Sequence, residues 1–377
     1  MKKLLELNKN KPDYWLFGAV VMLVAFGCLM VYSASYYDAV VNHGDKWLFA
    51  RRQILSAVIG LVAMCAISFI DFNKLKKLWL AAYLVGFFLL VLVLVPGIGM
   101  EVLGARRWLN LPGFTIQPSE IAKFSFVLFA AWYMARSTKK NKNLLDMAWV
   151  FVAVLIYAAL IMFQPNFSTT MVLLMVMGVL IFVGGLDLKQ YLLLAFPAIA
   201  GFIALMVAEP YRMRRLTAFI NPWENPLEEG FQLIQSLYSL ASGGFFGVGL
   251  FQSRQKLLFL PFSESDFIFS IIGEELGFFG AGLTVLAFMF ILWRGIRISM
   301  RAENRFGCYL AVGISLTICI QAMVNIAVVS GAIPPTGLPL PFISAGGTSL
   351  IVFMSAVGVL LNISRKKTNY ALHNKNI

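Results

Sequence analysis

The stretch SDFIFSIIGEELGFFGAGLTVLAFMFILW, Ser265–Trp293, decides the fold. It is apolar apart from Asp266, Glu274 and Glu275, and Arg294, Arg297 and Arg301 follow it. A helix crosses a hydrocarbon core of about 30 Å with about 20 residues, each rising about 1.5 Å. Counted back from Arg294, that length ends near Glu274, which puts Asp266 about 12 Å above the boundary, among lipid headgroups. Upstream, a polar segment from Pro210 carries Arg212, Arg214, Arg215, Arg254 and Lys256 before Ser263-Glu264-Ser265-Asp266. A cationic loop that leads to a carboxylate at a membrane surface fits an anionic, lipid-borne substrate.

Outward from that stretch, the rest of the chain reads as further membrane spans. Of 377 residues, 60% are hydrophobic and only 13% charged, with a mean hydropathy of +0.80, which excludes a soluble globule. Apolar stretches recur at Tyr14–Ser33, Gln53–Ile70, Leu78–Val95, Ile116–Ala135, Met147–Phe163, Thr169–Gly185, Tyr191–Ala208, Phe306–Ser330 and Phe342–Ile363. The expected fold class is therefore all-α, a polytopic membrane protein of ten transmembrane helices with both termini on one side. Short cytoplasmic loops carry an excess of Lys and Arg. With the N-terminus inside, twenty of the 31 Lys and Arg fall in inner segments and ten in outer ones, while Lys123 lies within a span. Both termini are thus expected to be cytoplasmic, as basic tails over residues 1–13 and 364–377 of a single membrane domain covering 1–377. Residues 209–263 then form one large extracellular loop. The net charge of +13 is a topology signal that favours anionic membrane lipids and gives no reason to expect a nucleic-acid partner.

Cys28, Cys65, Cys308 and Cys319 fall within the expected spans, which implies no extracellular disulfide framework, and His43 and His373 alone offer no histidine-based metal site. No metal-binding residue is assigned, and any metal would need oxygen ligands. Met1–Pro12 is a basic tail ahead of a full-length span with no small-residue cleavage site, so the first helix is expected to stay as an anchor.

Within the spans, Glu120 lies just inside the outer boundary and Lys123 one turn deeper on the same helical face, where they can neutralise each other. Such residues face a cavity or a partner, so they either line a groove or form a structural pair that orients two helices. Asp266 has two readings of equal weight: Ser263-x-x-Asp266 ahead of an apolar run resembles a capping box, and the carboxylate is equally placed for catalysis. Glu274 and Glu275 are adjacent at the boundary, where a packing role is expected. Three segments break the apolar pattern: Gly104–Glu120 with Arg106 and Arg107, Ser242–Lys256 with glycines beside cations, and Pro334–Gly347 with its prolines. Pro118 suits a first helical turn.

Taken in order, these elements resemble the SEDS family of polytopic peptidoglycan glycosyltransferases, to which FtsW, RodA and SpoVE belong. The matching residues run from Met30-Val-Tyr-Ser-Ala-Ser35 through Arg52-Gln53, Arg107-Trp108, Gln117-Pro-Ser-Glu-Ile-Ala-Lys123, Asn221-Pro222 and Gly230-Phe-Gln232. They continue through Gly243-Gly244, Gly247-Val-Gly249, Ser253-Arg-Gln-Lys256, Asp266-Phe-Ile-Phe269, Glu274-Glu-Leu-Gly277, Thr336-Gly337 and Leu340-Pro-Phe-Ile-Ser344 to Gly346-Gly347. The Tyr-Ser-Ala-Ser and Arg-Gln elements look more like the division and sporulation branch than the elongation branch. The resemblance implies polymerisation of lipid II, the undecaprenyl-pyrophosphate-linked disaccharide-peptide, on the outer face of the bacterial cytoplasmic membrane. Asp266 matches the family's proposed catalytic aspartate and would take the proton of the acceptor hydroxyl. Arg107, Arg212, Arg215 and Lys256 would stabilise the pyrophosphate leaving group, with Glu120 and Lys123 lining the groove. Gln232, Ser253, Ser344, Gly346 and Gly347 complete the substrate-binding set. The only cofactor in view is a divalent cation, Mg or Mn, brought by the pyrophosphate. The implied partner is a class B penicillin-binding protein transpeptidase, because the chain shows no soluble domain able to cross-link peptides.

Three positions depart from the family pattern: Phe262 stands where glutamate is common, Asn166 where aspartate is usual, and Ala345 where an aromatic residue is usual. Two rivals remain, a lipid II flippase and a scaffold that positions a partner synthase. A flippase needs a polar path through the full bilayer, whereas the ionisable residues gather in its outer half.

Overall fold

The computed structural model describes residues 11–365, apart from residues 103, 112–113, 138–142 and 208–209. Each expected apolar span coincides with a helix: α1 (Tyr14–His43), α2 (Leu48–Phe69), α4 (Trp79–Leu92), α5 (Pro118–Arg136), α6 (Leu144–Phe163), α7 (Phe167–Val183), α8 (Leu188–Val207), α11 (Ile268–Met300), α12 (Arg305–Val329) and α13 (Gly347–Arg365). The short α3 (Phe72–Leu75) precedes α4. Among the described residues, α1, α2, α6, α11, α12 and α13 are long and apolar enough to cross a membrane, while α4 and α7 are shorter apolar helices. The molecule is thus a mostly helical, multi-pass membrane protein.

The outer segments hold more structure than the sequence pattern suggested. Residues 209–263 contain two helices, α9 (Pro210–Ile220) and α10 (Phe231–Gly243). The segment before α5 departs from the all-α expectation with a three-stranded antiparallel meander, β1 (Gly99–Val102), β2 (Ala105–Leu111) and β3 (Phe114–Ile116). Side chains alternate faces along a strand. That alternation is interrupted at Arg107: Glu101 faces Arg106 and Met100 faces Trp108, so Arg107 stands at a bulge between them, a feature that re-aims a side chain, while Arg106 pairs with Glu101 at 3.0 Å.

In the bundle, α13 lies along α2, α12 packs between α11 and α5, and α5 rests on α4. α11 breaks at Gly277, whose φ of 65° and ψ of −165° are helix-incompatible and open to glycine alone. The half of α11 before this break carries Asp266 at its entrance.

Candidate active site

The capping reading of Asp266 does not survive. α11 begins at Ile268 behind Phe267, with no side-chain cap, and Ser263 bonds instead to the Ala34 carbonyl of α1 at 3.4 Å. What holds Asp266 is its backbone. The carbonyl of Glu264 accepts from Ala345 N at 2.9 Å, that of Ser265 from Ser344 Oγ at 2.6 Å, and that of Asp266 from Asn325 Nδ2 at 2.7 Å. Asn325 also donates to Leu338 O at 2.7 Å. Three successive carbonyls are therefore fixed by α12 and the turn entering α13. Gly337, with φ 70°, approaches so closely that a Cβ would sit 3.3 Å from Asp266 Oδ2.

Two guanidiniums act on this carboxylate electrostatically from separate elements. Arg107 of β2 donates through Nε to Gln164 O at 3.2 Å and through Nη2 to Pro165 O. Arg215 of α9 donates to Pro335 O at 3.2 Å. Burial dominates the electrostatics of Asp266 and pushes its pKa up to about 6, with Arg107 and Arg215 opposing that rise. Glu264 is also raised, first by burial, with Asp38 and Asp266 adding like-charge repulsion. Beside this centre lies an open cleft of about 340 Å³ lined by Arg215, Glu228, Glu229, Gln232 and Pro335, a volume within the ordinary range of ligand pockets. Arg215 belongs to both.

The other sequence candidates are distributed differently. Glu120 and Lys123 form a fully buried pair at 2.9 Å. Lys123 also bonds Gln321 Oε1 of α12, and Ser349 of α13 donates to Glu120 at 3.3 Å. The pair ties three helices together. Lys256 is buried against Glu275 at 2.8 Å and Ser33 at 3.1 Å, and Ser253 donates to Glu274 Oε2 at 2.5 Å. Ser344 is buried, whereas Gly346 is half-buried and Gly347 exposed at the start of α13. Arg212 lies on α9, and its side chain is outside the described residues. The sequence reading missed Asn325 and Gln321. Both are polar, four residues apart on one face of an apolar helix, and that spacing was a usable signal.

Residues 14–369 match the family model described as "cell cycle protein", FtsW/RodA/SpoVE. The chain belongs to the FtsW/RodA/SpoVE family. Stage V sporulation protein E of Bacillus subtilis (strain 168) is 45% identical over 362 residues, covering 95% of this chain and 98% of that protein. The probable peptidoglycan glycosyltransferase FtsW of Geobacter sp. (strain M18) is 41% identical over 347 residues, covering 92% and 95%. Among solved structures, a chain described for structural coordination of polymerization and crosslinking by a peptidoglycan synthase complex matches with TM-score 0.79 and 28% identity, over 95% of this chain and 99% of that one. Thermus thermophilus rod shape determining protein RodA matches with TM-score 0.70 and 25% identity, over 95% and 98%. In this family member, a carboxylate near neutrality, two cations and a cleft are assembled in one place, which suits proton abstraction beside a leaving anion.

Proposed function

We propose that this chain is a peptidoglycan glycosyltransferase that polymerises lipid II into glycan strands at the outer face of the bacterial cytoplasmic membrane. The supporting observation is the setting of Asp266, a carboxylate raised to about 6 by burial with Arg107 and Arg215 beside it. The acceptor hydroxyl loses its proton to Asp266 as its oxygen attacks the anomeric carbon of the donor. The bond from that carbon to the pyrophosphate oxygen breaks with inversion, and the lipid pyrophosphate departs as an anion. Arg107 and Arg215 stabilise the departing charge. A Mg or Mn ion would have to arrive with the pyrophosphate. Among the described residues no three His, Cys, Asp or Glu side chains gather to hold one.

The same reading takes the ten coinciding helices as ten spans, with both termini in the cytoplasm and residues 209–263 outside. A class B penicillin-binding protein is the partner it implies, and division or sporulation the setting. Purified chain and partner incubated with labelled lipid II test the reaction. Asp266→Asn keeps the shape but removes the base, and should lower polymer formation by about 10²-fold or more. Normal polymerisation by the variant overturns the assignment of the base. Intact scrambling of lipid II in vesicles without polymer from either protein would favour the flippase.

A further inference from the structure

The segment after α10 is joined to α11 by an exchange of backbone hydrogen bonds. In an unbroken helix the amides of Phe278 and Phe279 would bond to the carbonyls of Glu274 and Glu275. At the Gly277 break all four groups pair with the loop instead. Phe278 N donates to Gly244 O at 2.9 Å and Phe279 N to Phe245 O at 3.2 Å, while Val248 N donates to Glu274 O at 2.9 Å and Gly249 N to Glu275 O at 3.1 Å. Gly247, at φ 83°, allows this contact, since a Cβ there would lie 2.2 Å from Glu275 O.

This stitching sets the depth of the loop. α10 descends alongside the first half of α11, with Ser236 Oγ 2.7 Å from Ser270 Oγ and Ser239 Oγ 3.1 Å from Glu274 Oε2. Counted at about 1.5 Å per residue, Phe278 stands about 24 Å above Arg294, inside a hydrocarbon core of about 30 Å. Phe245 stacks on Phe278 with centroids 5.7 Å apart, and Phe246 is 80% exposed. Phe278, Phe279, Leu283, Leu286, Met289 and Trp293 are all exposed as well. The apolar loop tip thus continues the lipid-facing surface of α11. Trp223 and Tyr238, exposed and 5.8 Å apart, stand higher, where an interfacial aromatic pair belongs.

We infer that residues 244–251 form a re-entrant wedge whose Phe245 and Phe246 are embedded among the acyl chains of the leaflet that Asp266 faces. Non-helical backbone is tolerated at that depth only where its polar groups are satisfied within the protein, and the four exchanged bonds do so. The wedge anchors the segment that climbs through Ser253 and Lys256 to Asp266. It rests on α11 crossing the bilayer, and is independent of the reaction at Asp266.

Spin labels test this on the full chain in phosphatidylglycerol-containing nanodiscs, with the four native cysteines replaced by alanine. Labels are placed by Phe246→Cys, by Leu286→Cys as a hydrocarbon reference and by Glu224→Cys as an aqueous one. Oxygen concentrates toward the middle of the hydrocarbon and a nickel chelate stays in water, so the oxygen-to-nickel collision ratio at 246 should lie well above that at 224 and below that at 286, which stands about 12 Å above Arg294, near the middle of the core. A ratio at 246 like that at 224 overturns the wedge, and so does shielding from both reagents, which would mean protein cover by a second copy. Unmodified chain gives a second measurement. Photoactivatable diazirines carried on lipid acyl chains should label residues 245–251, and absence of adducts there also overturns the inference.

Discussion

The Ser344 hydroxyl donates to the Ser265 carbonyl at 2.6 Å while accepting from Leu340 N at 2.7 Å. One buried side chain thus joins the turn before α13 to the residue preceding Asp266. Ser344→Ala removes both bonds and loosens the carboxylate without touching it. A misplacement of about 1 Å costs up to about 10²-fold in rate, so kcat should fall about tenfold with KM little changed. If Ser344 bound substrate directly, steady-state kinetics would show KM rising instead.

The acid limb of polymerisation should report Asp266. The base works only when ionised, so activity should rise with pH through about 6. Arg107 and Arg215 both lower that pKa, and replacing either with Gln removes an opposing cation. The limb should then move to higher pH, in addition to any loss of leaving-group stabilisation. A pH profile of kcat/KM, which reports the base in the free enzyme, for wild type, Arg107→Gln and Arg215→Gln checks the direction, and an unshifted limb would remove both guanidiniums from the neighbourhood of the base.

The same burial makes Asp266 a liability for stability. Its folded pKa of about 6 lies above the ordinary carboxylate value of 3.8, so the folded state resists ionising it. The destabilisation is fully present above the folded value and vanishes as pH falls below the unfolded one. Asp266→Asn should therefore unfold at a higher temperature than wild type at pH 7.5, and the difference should close toward pH 4. Thermal unfolding in detergent at both pH values measures it.

How far the sequence disclosed this architecture depended on the physics of each element. The helices were legible because apolar length is a bulk property, and Pro118 at the head of α5 and the Glu120–Lys123 pair followed from helical spacing. The meander was not, because its strands are short and the bulge at Arg107 interrupts the alternation by which a strand is read. Nor was the position of Lys256. A cation beside glycines fits a phosphate site, yet the loop that carries it pairs with the Glu274 and Glu275 carbonyls and sets Lys256 on Glu275. Ser263 looked like a cap because capping is local, yet its partner is Ala34, 229 positions away. Arg107 and Arg215 read as cations in the sequence, where nothing shows that one acts on Asp266 from a strand and the other from a helix.

The Lys256–Glu275 pair separates two roles for the lysine. Both groups are buried, Glu275 Oε1 also accepts from Ser33 Oγ at 2.6 Å, and Glu275 Oε2 has no hydrogen-bond partner among the described residues. Lys256→Met leaves that carboxylate buried without its cation, which typically costs about 3–5 kcal/mol. The double variant Lys256→Met/Glu275→Leu removes the stranded charge as well and should recover much of the loss, giving a large coupling in a double-mutant cycle. A lysine that gripped pyrophosphate would behave otherwise. Lys256→Met would then weaken substrate binding at nearly unchanged thermal stability, and Glu275→Leu would not rescue it. Thermal unfolding of the four proteins, read beside their KM for lipid II, decides whether Lys256 holds the loop or the substrate.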